Sequence, residues 1–244
     1  MFEFKEIKCP RCKSLVPLGY IICPYCGYDL RPILRMYARR ELTFKDIIRR
    51  VKDSIPIYGG SLIPTDLFNE IMIAPDALGP TMIIVALSFF ISLIYMRLLL
   101  GVGILASVNI GVLFVLLLPI TLILNLILFA IYVSFINWIF RLIGATNAEF
   151  TTTFSLLGYS LWPLVGASLI ALFLMIAYNP SLLLEGVAYA LSHPLVSLVR
   201  YILFAGIIVS LIIANEGISK AYYLNKFVSL LIMLTPIAIL FLAI

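Results

Sequence analysis

The sequence contains no glutamine, a single histidine and very little charge beyond residue 80. Each shortage closes off a class of function. With one histidine and neither an HExxH nor a GxSxG pattern, the chain lacks the parts of the common hydrolytic centres, so it is not expected to be an enzyme. That histidine, His193, stands before Pro194 and reads as a loop residue rather than a catalyst. From Thr81 to Phe140 the only charged residue is Arg97, and after Phe140 formal charge is confined to Arg141, Glu149, Glu185, Arg200, Glu216, Lys220 and Lys226. A soluble domain has no use for so much unbroken apolar surface. The first 20 residues hold Glu3, Lys5, Glu6, Lys8, Arg11 and Lys13, so the apolar core of a signal peptide is missing and the N-terminal segment is expected to stay uncleaved. The missing glutamine and abundant isoleucine resemble the composition of thermophilic proteomes.

What is present is unevenly placed. The 244 residues are 63% hydrophobic and 12% charged with a net charge of +5, and twelve of the 17 lysines and arginines precede Thr81. The chain therefore divides into residues 1–30, a basic juxtamembrane part 31–80, and a membrane domain 81–244. An apolar run of ~20 residues crosses the hydrocarbon core as a helix, and helices satisfy their own backbone in lipid. Spans are expected over Thr81 to Leu99, Asn109 to Phe140, Thr152 to Ala177, Arg200 to Ile218 and Phe227 to Ile244. The second is longer than one crossing needs, and Pro119 is expected to kink it. Gly101 and Gly103 make the first far-side turn. Asn179-Pro180 is expected to start an apolar helix through Leu182 to Leu191, in the far interface or re-entering, which His193-Pro194 ends. The expected fold is thus an all-α polytopic membrane protein of about five transmembrane helices, preceded by a small zinc ribbon. An odd number of spans separates the termini, and the basic N-terminal part marks its side as cytosolic.

The ribbon rests on Cys9, Cys12, Cys23 and Cys26, written CPRC, ten residues, CPYCG. Each CxxC pair forms a knuckle that aims two thiolates at one tetrahedral zinc, and Gly27 permits the turn after the second pair. Lys13 stands where a more regular knuckle has its other glycine. Two disulfides or a redox pair are the alternative, but both pairs fall in one short segment without a thioredoxin-like βαβ pattern, which favours zinc. Four thiolates leave no open position, so one structural zinc per chain is expected, folding a segment too short for its own core.

Beyond Arg31, Arg35, Arg39 and Arg40, Thr43 opens a helical pattern. Phe44, Ile47, Ile48, Val51 and Ile55 share one face, with Lys45, Arg49, Arg50 and Lys52 on the other. Such a helix either lies on an anionic membrane or packs on the rest of the chain. Ile55-Pro56 and Tyr58-Gly59-Gly60 end it. A short helix follows from Asp66 to Ile73, broken by Ala74-Pro75. Ser134, Asn137 and Arg141 recur at helical spacing as one polar face at the near-side mouth, with Trp138 at headgroup level. Glu216 and Lys220 stand one turn apart in the order that favours an ion pair, although a solvated helix end is the plainer reading.

Several pieces in order resemble the Yip family, multispanning proteins named for interaction with Ypt/Rab GTPases. They are Asp66-Leu67-Phe68-Asn69-Glu70-Ile71 with Ala74-Pro75, Arg141-Leu142-Ile143-Gly144, the run Gly158 to Pro163 (GYSLWP), and Asn215-Glu216-Gly217 followed by Ser219-Lys220-Ala221, across residues 64–244. The resemblance implies a five-helix fold with a cytosolic N-terminus and a role in membrane traffic and GTPase recruitment. Gly158 would let a neighbouring helix approach, and Pro163 would free a carbonyl that Ser160 or a neighbour satisfies. The leading expectation is a non-enzymatic membrane adaptor or organiser whose ribbon docks a cytosolic protein, a small GTPase being the family's partner class. The bilayer is a second partner, nucleic acid is disfavoured, and the oligomeric state is open, a homo-oligomer included. A small-solute transporter or channel is the alternative, motivated by Pro119, Pro163, Pro194 and Pro236 and by Asn109, Asn125 and Asn137 within apolar segments. The sequence shows no internal repeat and hardly any buried charge to support it.

Overall fold

The computed structural model describes residues 6–17, 20–37, 43–55, 63–101, 110–145, 148–177 and 194–242. Asn109, Gly103, Arg39, Arg40, Tyr58-Gly59-Gly60, the stretch from Asn179 to Leu191 and His193 lie outside the described residues. So does the side chain of Arg97. The elements are β1 (Glu6–Lys8), β2 (Leu15–Pro17), α1 (Arg31–Tyr37), α2 (Phe44–Ser54), α3 (Thr65–Ile73), α4 (Leu78–Gly101), α5 (Ile110–Leu142), α6 (Phe150–Tyr159), α7 (Trp162–Ala177), α8 (Pro194–Tyr222) and α9 (Lys226–Leu242).

In the N-terminal hairpin, Ile7 pairs antiparallel with Val16, and these two face inward while Glu6, Lys8 and Leu15 face out, as a period of two requires. They close a small core with Cys9, Cys23, Leu30 and Leu34. Thr43 caps α2 reciprocally with Asp46: the Asp46 amide donates to Thr43 Oγ1 and the Thr43 amide to Asp46 Oδ2. The Thr43 hydrogen bonds hold the Asp46 carboxyl below its ordinary range. Ile55, extended ahead of Pro56, ends the helix.

Among the described residues, four helical segments are long and apolar enough to cross a membrane: Leu78–Met96, Leu118–Leu142, Phe150–Ile176 and Pro194–Tyr222; α9 is apolar as well, with a shorter stretch over Lys226–Pro236. The chain is an all-α polytopic membrane protein with a small cysteine-bearing head. The long second segment is one continuous helix of 33 residues, so it runs once along the bundle with Pro119 inside it. The third differs from expectation, because α6 stops at Tyr159 and α7 restarts at Trp162. Pro163 is the cause: in a continuous helix its ring would meet the Tyr159 carbonyl and its missing amide would leave that carbonyl bare. At the second residue of a new helix neither matters. Ser160 serves a different carbonyl, that of Leu157, at 2.6 Å.

The main core sits at the end of the bundle nearest the head. There α3 contributes Leu67, Phe68, Ile71 and Met72 to the same cluster as Ile83 and Ile84 of α4, Val133, Ile136 and Phe140 of α5, Leu156 and Tyr159 of α6, and Ile218 and Tyr222 of α8. A smaller cluster of Ile94, Ala171, Met175, Val196 and Val199 closes the opposite end. The outer flank of α5 exposes Ile120, Ile123, Leu124, Ile127, Leu128 and Ile131, the apolar band expected against lipid. Ser134 and Trp138 continue that band beside Ile127 and Ile131. Asn137 instead turns inward and is buried, so the expected shared polar face with Ser134 and Arg141 does not form. One helical step of about 60° between positions i and i+3 is enough to separate lipid from core.

Candidate metal centre

The two CxxC segments fold into matching knuckles. In the first, the Lys13 amide donates to Cys9 O and the Cys9 amide to Ser14 O; in the second, Gly27 donates to Cys23 O and Cys23 to Tyr28 O, all at 2.8–2.9 Å. The corresponding turn residues take left-handed backbone, φ 61° at Lys13 and φ 70° at Gly27. The hairpin supports the first knuckle, and a bridge between Ile22 and Asp29 supports the second.

The knuckles face each other. Cys9 Sγ lies 3.6 Å from Cys26 Sγ and Cys12 Sγ 3.5 Å from Cys23 Sγ. All four sulfurs fall within 4.8 Å of one another. These are free thiols rather than disulfides. A tetrahedral Zn²⁺ with thiolates at about 2.3 Å separates its sulfurs by about 3.8 Å, so the donor set fits one such ion. Without a cation, Cys12 and Cys26 are pushed in opposite directions: hydrogen bonds from Ser14 pull the Cys12 thiol down, while burial pushes that of Cys26 up.

The head is bound to the membrane bundle through Arg31. Its Nε and Nη2 clasp the Asp29 carboxylate at 2.7–3.0 Å, and its Nη1 donates to the Ala221 carbonyl at 2.6 Å. Its guanidinium lies 5.4 Å from the Tyr223 ring centroid. Burial works against the Arg31 charge, but Asp29 outweighs it and raises the pKa. The carbonyl it meets is one of the last in α8, where no further turn supplies a donor and the helix dipole favours a cation. Tyr223 (φ 55°) closes that helix, and the Leu224 amide returns to Ser219 O.

A second polar seam joins α2 to the bundle. Arg50, expected on the solvated side of α2, is buried, with its side chain 2% exposed. Its Nη1 donates to Asp76 Oδ2 at 2.9 Å and to Ala74 O at 2.8 Å, and Glu70 lies 3.6 Å from its Nε. Asp76 also accepts from the Tyr159 hydroxyl at 3.0 and 3.2 Å and from the Gly79 amide at 2.9 Å, which caps α4. Arg49 pairs with Glu70. The Trp162 indole donates to Val51 O at 3.2 Å. Sequence reasoning missed this seam, although an aspartate three residues before Gly79-Pro80 is a recognisable cap signal.

Each family-like piece has a structural task. Phe68 packs beneath Gly217, where a Cβ would come within 3.2 Å of its ring. A Cβ on Gly158 would lie 2.4 Å from Pro80, the close approach expected of that glycine, and one on Gly79 would overlap the Tyr159 hydroxyl. Arg141 Nε donates to Ala148 O, closing the turn in which Gly144 has φ 94°. Glu216 forms the ion pair with Lys220 at 3.2 Å and adds a second with Lys226 at 2.6 Å. Asn215 accepts from Ser229, Asn125 donates to Ser88 at 2.9 Å, and Asn137 accepts from Thr153 at 3.3 Å.

Fold and cluster together define a polytopic helical membrane protein with a four-cysteine head docked on one end. A Yip1 domain is matched over residues 59–244, and the chain belongs to that family. No curated protein and no solved structure matches it.

Proposed function

We propose that the protein is a non-enzymatic membrane adaptor or organiser: Cys9, Cys12, Cys23 and Cys26 hold one structural zinc, and the ribbon so folded presents a docking surface at the membrane. The observation that carries this reading is that the ribbon is both tethered and exposed. Ile21 packs against the main core and Arg31, directly after the ribbon, bonds to Ala221 O. Leu15, Tyr20 and Tyr25 are nonetheless 58%, 51% and 69% exposed, much apolar and aromatic surface for so small a module. Residues 1–30 are the ribbon, 31–80 the juxtamembrane helices and 81–244 the membrane domain. The N-terminus faces the cytosol, where thiolates stay reduced. In a prokaryotic cell that membrane is the plasma membrane. Interhelical bonds from Asn125 and Asn137 suit a packed anchor better than a water-lined path.

The full-length protein with a photoreactive residue replacing Tyr25 tests this in native membranes. A discrete crosslinked protein, a small GTPase being the first to examine, lost on Cys23→Ser, supports the adaptor. Saturable solute flux by reconstituted protein, abolished by Asn125→Leu, overturns it in favour of the transporter reading. Labelling of both termini from the same face refutes the proposed orientation.

A further inference from the structure

Helix α2 is fixed along one side and open along the other. At about 100° per residue, Ile47, Arg50 and Ser54 form its buried edge. Asp46 and Asp53 flank that edge towards α3, whose Glu70 takes both Arg49 and Arg50. On the opposite flank come Phe44 and Ile48, 60% and 40% exposed, and beyond them the exposed Lys45 and Lys52. The order around the helix is therefore protein, apolar, basic. Its depth is set as well, because Val51 O is held by Trp162 at the break in the third membrane segment, and the Arg50–Asp76 pair holds α2 at the start of the first.

We infer that α2 is an interfacial helix: Phe44 and Ile48 insert into the bilayer leaflet on the head's side, and Lys45 and Lys52 bind the anionic headgroups of that leaflet. Charge complementarity selects the occupant. A bare apolar flank would accept a second copy or a protein groove, but one bordered by two lysines at the bilayer margin matches acyl chain below and phosphate above. Arg49 contributes little, since Glu70 already neutralises it. The buried edge explains why α2 needs no long apolar face: the protein supplies half of its support and the lipid the other half.

The test uses the full chain with p-benzoylphenylalanine at Phe44, and separately at Ile48, in nanodiscs of phosphatidylcholine alone or mixed with phosphatidylglycerol. A third variant carrying the probe at Ile127 reports intact insertion. Irradiation is expected to give phospholipid adducts at both α2 positions. Each lysine beside an anionic surface favours binding by a factor of about five, so the phosphatidylglycerol adduct should fall by at least that factor in Lys45→Glu/Lys52→Glu, with the Ile127 adduct unchanged. Crosslinks to a second copy, to another protein in native membranes, or no lipid adduct at Phe44 and Ile48 while Ile127 labels normally, each overturn the inference. So does an adduct yield indifferent to lipid charge.

Discussion

Lys13 and Gly27 occupy equivalent positions in the two knuckles, yet only one is a glycine. An L-residue in left-handed backbone costs about 1–2 kcal/mol, and here the knuckle amide bond to Cys9 O enforces it. Lys13→Gly is therefore expected to strengthen the head by about 1 kcal/mol, seen as slower loss of the proposed zinc to a chelator; faster loss would mean that the lysine side chain contributes something the backbone does not reveal. At Asp76 the charge matters more than the shape. Asp76→Asn leaves the buried Arg50 only the half-exposed Glu70, 3.6 Å from its Nε and shared with Arg49, as counter-charge, and should cost about 3 kcal/mol or more, whereas Tyr159→Phe removes one hydrogen bond to a carboxylate and should cost about 1.5 kcal/mol. Thermal unfolding of the two variants in detergent, showing equal shifts, would contradict that ranking.

Among elements, the contact of α8 with α7 shows how small residues set helix spacing. A Cβ at Gly206 would lie 2.7 Å from Ala167 Cβ and 3.2 Å from the Leu164 backbone, while one at Gly166 meets nothing within 4 Å. The same substitution should act in opposite directions at the two sites. Gly206→Ala forces the helices apart and is expected to destabilise by about 1–3 kcal/mol, and Gly166→Ala should stabilise by up to about 1 kcal/mol through helix propensity alone. Thermal shifts of the same sign at both would place the α7–α8 contact elsewhere. The break between α6 and α7 belongs to this scale too. Tyr159, the last residue before it, reaches Asp76, and Trp162, the first residue after it, reaches Val51 of α2.

For the whole molecule, the head and the bundle meet at a helix end. Arg31, at the foot of the ribbon, meets the last turn of α8, where Lys220 pairs with Glu216 one turn back while Lys226 reaches the same carboxylate from the start of α9, so the state of the head bears on the junction between α8 and α9. Removing the proposed zinc by chelation, or Cys23→Ser, is expected to unfold the head and raise hydrogen exchange around Ala221 and Tyr222. The core around Phe68, Ile83 and Phe140 should stay protected in the membrane. Loss of protection throughout would show that head and bundle fold as one cooperative unit.

The bilayer as solvent, the cysteine head, the Thr43 cap, the Ala74-Pro75 stop and the approach glycine Gly158 were all legible in the sequence alone. Each depends on residues close together in the chain, where hydropathy, spacing and backbone preference act locally. What only the tertiary structure decided is which polar groups meet. Arg50 reads as a solvated arginine on an amphipathic helix until Asp76, 26 residues away, is folded against it. Arg31 reads as one of several basic residues until its guanidinium reaches a carbonyl 190 residues on. The physical reason is that burying a charge is unfavourable until its partner arrives, and nothing in the local pattern of either segment records where that partner will come from.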